Sequence, residues 1–157
     1  MTRAVFDVTD FEYQQPTRAQ LASATPKMRE IMELTAHQHG EMVRADWLSE
    51  PETFLLLKHV GDVVGWDRLH RCKNAVHVGI FIHPDYQRSN ASQLLAKMGL
   101  RLAFNDWKTP KVFGRTRNDN RPAMMLLGSL GFKRVKRYTN HTLYQLRWAD
   151  WRENHGR

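Results

Sequence analysis

The spacing of apolar and polar residues changes several times along this chain, and each change marks an element. Residues 4–13, AVFDVTDFEY, alternate as a strand does. A short helix is expected around RAQLA, residues 18–22, followed by a longer one in SATPKMREIMELTAHQHG, residues 23–40. In that second stretch Met28, Ile31, Met32 and Thr35 recur at helical spacing, Thr25 is placed to cap the start, Pro26 suits the first turn and Gly40 the stop. TFLLLKHVGDVVGWDRLH, residues 53–70, reads as two strands joined by a tight turn at Gly61 and Asp62. The next strand is NAVHVGIFIHP, residues 74–84, with Val76, Val78, Ile80 and Ile82 on one face and His77, Gly79, Phe81 and His83 on the other. A helix follows in residues 89–107, with Ala91, Leu94, Leu95, Met98 and Leu102 inward, and then a strand, KVFGRTR, at 111–117. NRPAMMLLGSLG, residues 120–131, is a helix with Pro122 in its first turn and Gly131 just past its end. Residues 132–148 form two strands that turn near Thr139, Asn140 and His141. The order β-α-α-β-β-β-α-β-α-β-β predicts an α/β fold, a mixed sheet flanked by helices on both faces.

No repeat, low-complexity tract or linker interrupts this order, and 157 residues can bury a sizeable core, so a single domain over residues 1–157 is expected. No apolar run reaches the length of a membrane span, and the opening residues lack the apolar stretch of a secretory leader. The lone cysteine, Cys72, excludes an intrachain disulfide and fits a reducing, cytoplasmic setting; it is expected to be partly buried and inert. The formal net charge is +8, and half of the 24 Lys and Arg residues fall in 108–157 beside three acids. That asymmetry points to an anionic partner for the C-terminal region, or simply to a solvated basic face.

Two stretches bear on chemistry. HPDYQRSNASQLLAKMG, residues 83–99, takes a strand into a helix through a short polar turn. The first amides of such a helix have no intrahelical partner and its dipole is positive there, which stabilises phosphate. Gln87 and Arg88 add a donor and a cation, and Asn90 tolerates the left-handed backbone better than most residues. A plain structural turn explains the same residues. The second stretch is NDNRPAMMLLGSLGF, residues 118–132.

Together, and in this element order, the two stretches resemble the GNAT superfamily of acyl-CoA N-acyltransferases. IHPDY followed by QRSNAS is similar to the family's strand and its Q/R-x-x-G-x-G/A loop, with Asn90 and Ser92 at the two glycine positions. Asn120, Ala123, Leu126, Gly131 and Phe132 fall in register with the family's N-x-x-A-x-x-L-Y-x-x-x-G-F, and Leu127 stands at the tyrosine. The resemblance is good over roughly residues 54–135 and rests on element order alone before that. It implies a GNAT-like, mostly antiparallel central sheet and acetyl-CoA or CoA as co-substrate, bound between the strands at 76–83 and 111–117. The main chain of Ile80, Phe81 and Ile82 would run beside the pantetheine arm. The amides of Gln87, Arg88, Ser89, Asn90, Ala91 and Ser92 would face the pyrophosphate, with Asn120 near the cofactor. The family tyrosine often protonates the leaving thiolate, which Leu127 cannot do.

For catalysis the sequence offers His77 and His83 as bases and Tyr138 or Tyr144 as a replacement acid, each with a plain strand reading beside it. Glu30, Glu33 and Asp67 are candidate substrate contacts, or solvated surface. His37 and His39 form no recognisable metal pattern and read as surface residues at a helix end. The implied function is transfer of an acetyl or short acyl group from CoA to the amine of a small molecule or protein. Two rivals stand beside it. One is a catalytically inactive GNAT-like accessory protein, of bacterial or phage origin, suggested by the missing glycines and tyrosine. The other is a nucleic-acid binder using the basic C-terminal third, where Trp148 and Trp151 lie near Arg147 and Arg152.

Overall fold

A computed structural model describes residues 5–39 and 53–155, the last three without their side chains. The elements in chain order are β1 (Phe11–Gln14), α1 (Arg18–Leu34), α2 (Ala36–His39), β2 (Phe54–His59), β3 (Asp62–Cys72), β4 (Ala75–Ile82), α3 (Asn90–Arg101), β5 (Lys111–Arg117), α4 (Arg121–Ser129), β6 (Lys133–Arg137), β7 (His141–Arg147) and α5 (Trp148–His155). The seven strands form one sheet in the order β1-β2-β3-β4-β5-β7-β6. It is mostly antiparallel, with β4 and β5 as a parallel pair. The fold is therefore the mixed α/β class that the element order implies. Gly40 lies outside the described residues.

The chain clusters into two compact units, each built from two separate stretches: Met1–Arg68 with Ile80–Ala96, and Leu69–Gly79 with Lys97–Arg157. In the first unit α1 runs unbroken across the boundary expected between residues 22 and 23, and α2 follows it. The true start is Thr17, whose hydroxyl accepts from the Gln20 amide while the Gln20 side chain accepts from the Thr17 amide, a capping box. Thr25 is therefore not a cap. Pro26 sits inside α1 on its exposed side, and the Thr25 hydroxyl turns back to donate to the Leu21 carbonyl at 2.8 Å. Leu21, Ala24, Met28 and Ile31 give α1 a buried stripe at steps of three and four residues. The stripe packs on Phe54 and Leu56 of β2, Val63 and Trp66 of β3, and Phe81 of β4. Trp66 stacks on Phe81 with ring centroids 4.7 Å apart. Between β2 and β3 the two-residue turn is Val60–Gly61, both at positive φ (50° and 86°), as a type I′ hairpin requires.

In the second unit β5, β7 and β6 pair antiparallel, and β4 adds the parallel ladder Val76↔Val112, His77↔Phe113, Val78↔Gly114. Alternation along β5 and β7 is sharp: Val112, Gly114, Thr116, Thr142, Tyr144 and Leu146 are buried, while the residues between them are not. α4 lies against the buried side, with Leu127 beside Gly114. It ends as expected, with Gly131 at φ 94° and a Schellman pair of bonds from the Phe132 amide to the Leu127 carbonyl and from the Gly131 amide to the Gly128 carbonyl. Two features escaped the sequence reading. α3 runs on into a π-helical turn, Leu102–Asp106, closed by the Trp107 amide on the Leu102 carbonyl. The chain then ends in α5, whose Trp151 is buried and stacked on Phe104 at 5.1 Å. Cys72 is exposed rather than partly buried.

Two glycines give opposite expectations. A Cβ on Gly65 would stand 2.6 Å from the main-chain oxygen of Phe81 and 2.7 Å from the Ile82 side chain, so β3 and β4 would have to move. Gly65→Ala should cost about 1–3 kcal/mol, as overpacking does. A Cβ on Gly128, exposed in α4, meets nothing within 4 Å. Gly128→Ala should stabilise by about 0.5–1 kcal/mol through helix propensity. Urea unfolding of both variants checks the pair.

Candidate functional site

The strand–turn–helix at residues 82–92 is built by side chains where glycines would otherwise serve. β4 ends at Ile82, and a short turn, Pro84–Tyr86, is capped by His83, whose Nδ1 accepts from the Asp85 amide. Gln87 then points back: its Nε2 donates to the Ile82 carbonyl at 3.0 Å and exchanges a reciprocal amide pair with Gln38 of α2, both bonds 2.8 Å. Arg88 is exposed and takes the left-handed conformation, φ 55°. Ser89 is fully buried; its hydroxyl donates to the Tyr86 carbonyl and accepts from the Ala91 amide, capping α3.

Asn90 departs most from its expected role. The residue with positive φ is Arg88, whereas Asn90 opens the helix. Its side chain grips the backbone of Phe6, accepting from the Phe6 amide at 2.9 Å and donating to the Phe6 carbonyl at 2.8 Å. This reciprocal pair imitates one rung of a strand ladder between residues 84 apart in sequence. The Phe6 ring in turn stacks on Tyr86 at 4.7 Å, and the Tyr86 hydroxyl bonds to His59 Nδ1 at 2.8 Å. Burial and the carboxylates of Asp62 and Asp85 raise the Tyr86 pKa, so its hydroxyl keeps its proton. Ala91 is buried and Ser92 half-buried in the first turn of α3.

On β4, Phe81 and Ile82 are buried and Ile80 is half-buried. The ring of His39, read from sequence as a surface residue, lies tilted against Phe81 with centroids 4.2 Å apart. Burial, helped by the neighbouring His37 charge, pushes its pKa down to about 4, so it is neutral at pH 7. Nothing in the HQH pattern signals this, because the partner lies in another element. Asp67 is buried on β3, not solvated, and Glu30 and Glu33 are exposed on α1, Glu30 paired with Lys27 at 3.4 Å.

The remaining sequence candidates belong to the second unit. Asn120 caps α4, its Oδ1 accepting from the Ala123 amide at 3.3 Å. His77 is half-buried and stacked on Phe113 at 5.1 Å. Tyr138 lies just past β6, 36% exposed and stacked on His141 at 4.6 Å, while Tyr144 is buried in β7. Leu127, at the family's tyrosine position, is buried beside Gly114. Among the described residues no group of three or more His, Cys, Asp or Glu side chains could hold a metal ion, and no helix is long and apolar enough to cross a membrane.

What the arrangement offers chemically is an anion-stabilising helix start: a twelve-residue helix, an exposed arginine two residues ahead of it, and no carboxylate from 87 to 92. The family description "Acetyltransferase (GNAT) domain" matches residues 3–133, and this chain belongs to that family. Solved structures share the fold. The ribosomal-protein-S5-alanine acetyltransferase of Vibrio fischeri is 13% identical with a TM-score of 0.74, covering 93% of this chain and 97% of that one. A putative acetyltransferase of Salmonella typhimurium, solved with acetyl-CoA, is 18% identical with a TM-score of 0.70, covering 88% and 94%. The spermidine/spermine N-acetyltransferase of Vibrio cholerae is 14% identical with a TM-score of 0.70, covering 92% and 98%. No protein with a curated function matches the sequence.

Two outcomes follow from these contacts. Asn90→Gly should release the segment at Phe6, costing about 1–2 kcal/mol for the two lost bonds and speeding hydrogen exchange at the Phe6 amide. For His39 the folded pKa lies below the unfolded one, so between about pH 6.5 and 4 the unfolded chain binds the proton that the folded chain refuses. Its contribution is full above pH 6.5 and is lost as pH falls toward 4, up to about 3 kcal/mol. His39→Phe should keep the ring contact with Phe81 and flatten that acid limb in urea melts across pH.

Proposed function

We propose that this protein transfers an acetyl or short acyl group from CoA to an amine. The observation that carries the reading is the start of α3, where side-chain anchors at Gln87, Ser89 and Asn90 preserve an anion-stabilising turn although both family glycines are gone. The donor chemistry there fits a pyrophosphate: a helix start, the Arg88 cation, and no competing acid between 87 and 92. Acetyl-CoA, when bound, supplies an activated thioester whose carbonyl carbon forms a C–N bond to the amine as its C–S bond breaks. Within residues 87–92 the Gln87 amide donates to the Pro84 carbonyl and the Ala91 amide to the Ser89 hydroxyl; the remaining amides of the turn and the Arg88 side chain would hold the phosphates, and the main chain of Ile80, Phe81 and Ile82 would orient the arm. Positioning of this kind, with amides directed at developing charge, can supply much of the rate. Leu127 has no proton to give, so protonation at sulfur falls to solvent or to another group.

The acceptor is an amine on a small molecule or a protein. The rival reading, a GNAT-shaped binding protein without catalysis, draws support from Leu127, whose burial beside Gly114 leaves an apolar side chain at the acid's position.

Calorimetric titration with acetyl-CoA, followed by thiol release with a panel of amines, tests both readings. Binding should stabilise the fold by roughly 2.7 kcal/mol at about 100 times Kd. No heat and no thermal shift at saturating acetyl-CoA would end both the enzyme and the CoA-binding readings. Asn90→Gly should bind CoA equally or more tightly; a large loss would mean that the Asn90 side chain itself touches ligand. Leu127→Tyr should raise turnover with poor acceptors, at a packing cost of about 1–3 kcal/mol to be followed by melting. Binding without turnover in both wild type and a folded Leu127→Tyr variant would favour the binding protein.

A further inference from the structure

The C-terminal strands carry a second surface besides the turn at residues 87–92. Opposite the buried row of β5 and β7, the register places Phe113, Arg115, Leu143 and Gln145 on one face of the sheet. His77 joins that face from β4, paired with Phe113 in the ladder and stacked on its ring at 5.1 Å. Lys133 and Lys136 join it from β6, opposite Gln145 and Leu143. Arg115, Arg147, Lys133 and Lys136 are exposed and Lys111 half-exposed, and none of the five has a carboxylate partner among the described residues. The nearby Arg117 is the contrasting case, held by Asp119 through two bonds at 3.1 and 3.2 Å.

Aromatic rings interleave with these cations at two stations. At one, His77 and Phe113 stack, with the Lys111 ammonium 5.4 Å from the Phe113 ring. At the other, Tyr138 and His141 stack at 4.6 Å, with Lys136 at 5.0 Å and Arg115 at 5.8 Å from the Tyr138 ring. His141 pairs with Arg117, four residues beyond Phe113 on β5, so the stations lie about 13 Å apart along the strand. The second is preorganised: Asn118 donates to the carbonyls of Tyr138 and Thr139, and Thr142 donates to Asn118.

We propose that this face of β5, β7 and β6 binds single-stranded nucleic acid, its cations tracking the phosphates and its two ring stations stacking bases. Flat aromatic side chains on a sheet face, set among cations, are a chemistry that recognises unpaired bases. A duplex hides its base faces from such rings. A second copy of the chain would bring five like charges against five. An acidic protein would match the charge but leave the rings without a purpose.

The test is fluorescence anisotropy on the full chain, without acetyl-CoA, with labelled oligothymidylate and oligouridylate, a duplex of the same length and a polyglutamate peptide. The single strands should bind tightest, with log K falling against log salt at about 0.7 per phosphate neutralised. Lys111→Gln with Lys136→Gln should reduce that slope by about 1.4. Phe113→Leu should weaken binding about tenfold through lost stacking and leave the slope unchanged. If that variant fails to fold, Tyr138→Leu at the exposed edge gives the same readout. No single-strand binding at low salt would overturn the proposal. So would equal binding of the duplex, or polyglutamate binding as tight as the single strands with no effect of either aromatic substitution. Because no acyl donor takes part, failure here leaves the acyltransferase reading standing, and failure of that reading leaves this one.

Discussion

A helix begins with amide donors that it cannot satisfy itself, and the first unit is organised around that constraint at the start of α3. Ser89 takes the Ala91 amide, Gln87 ties the turn to the end of β4 and to Gln38 of α2, and Asn90 draws the Phe6 backbone against the helix. Glycines at such a turn would buy close approach through an unencumbered backbone. Here the backbone takes one left-handed residue, Arg88, and polar side chains fix the rest. The exchange stiffens the turn while keeping its positive end.

The resemblance was legible because it rests on local spacing: the strand before Pro84, Gln87 three residues ahead of Asn90, and the run from Asn120 to Phe132. The Schellman ending at Gly131 was legible for the same reason. What stayed hidden depends on distant partners. Asn90 meets Phe6 across 84 residues, and His39 meets Phe81 from another element. No periodicity reports either contact. The capping box of α1 was in plain view, Thr17 followed three residues later by Gln20, but Pro26 read as a boundary. It is tolerated because its own missing amide leaves little to repair on an exposed helix face, and Thr25 bonds back to the preceding turn. The terminal helix was hidden in WADWREN, whose short apolar content reads equally as the end of a strand.

Leu127 and Gly114 belong together. Leu127 packs close over Gly114: a Cβ added there would sit 3.0 Å from Leu127 Cδ2, so the leucine would have to shift to admit it. The apolar residue at the family's tyrosine position is thus built into the packing of α4. Restoring the hydroxyl means repacking that contact as well as changing one side chain.

β6 is the last strand of the sheet, and all five of its residues are exposed. An open strand edge is a template on which another chain can add itself, the first step toward aggregation. Lys133, Arg134, Lys136 and Arg137 charge this edge, and the irregular register between Arg134 and Lys136 breaks its straight line. This short edge strand thereby carries its own deterrent to growing fibres of the chain, and neutralising those lysines and arginines would weaken it.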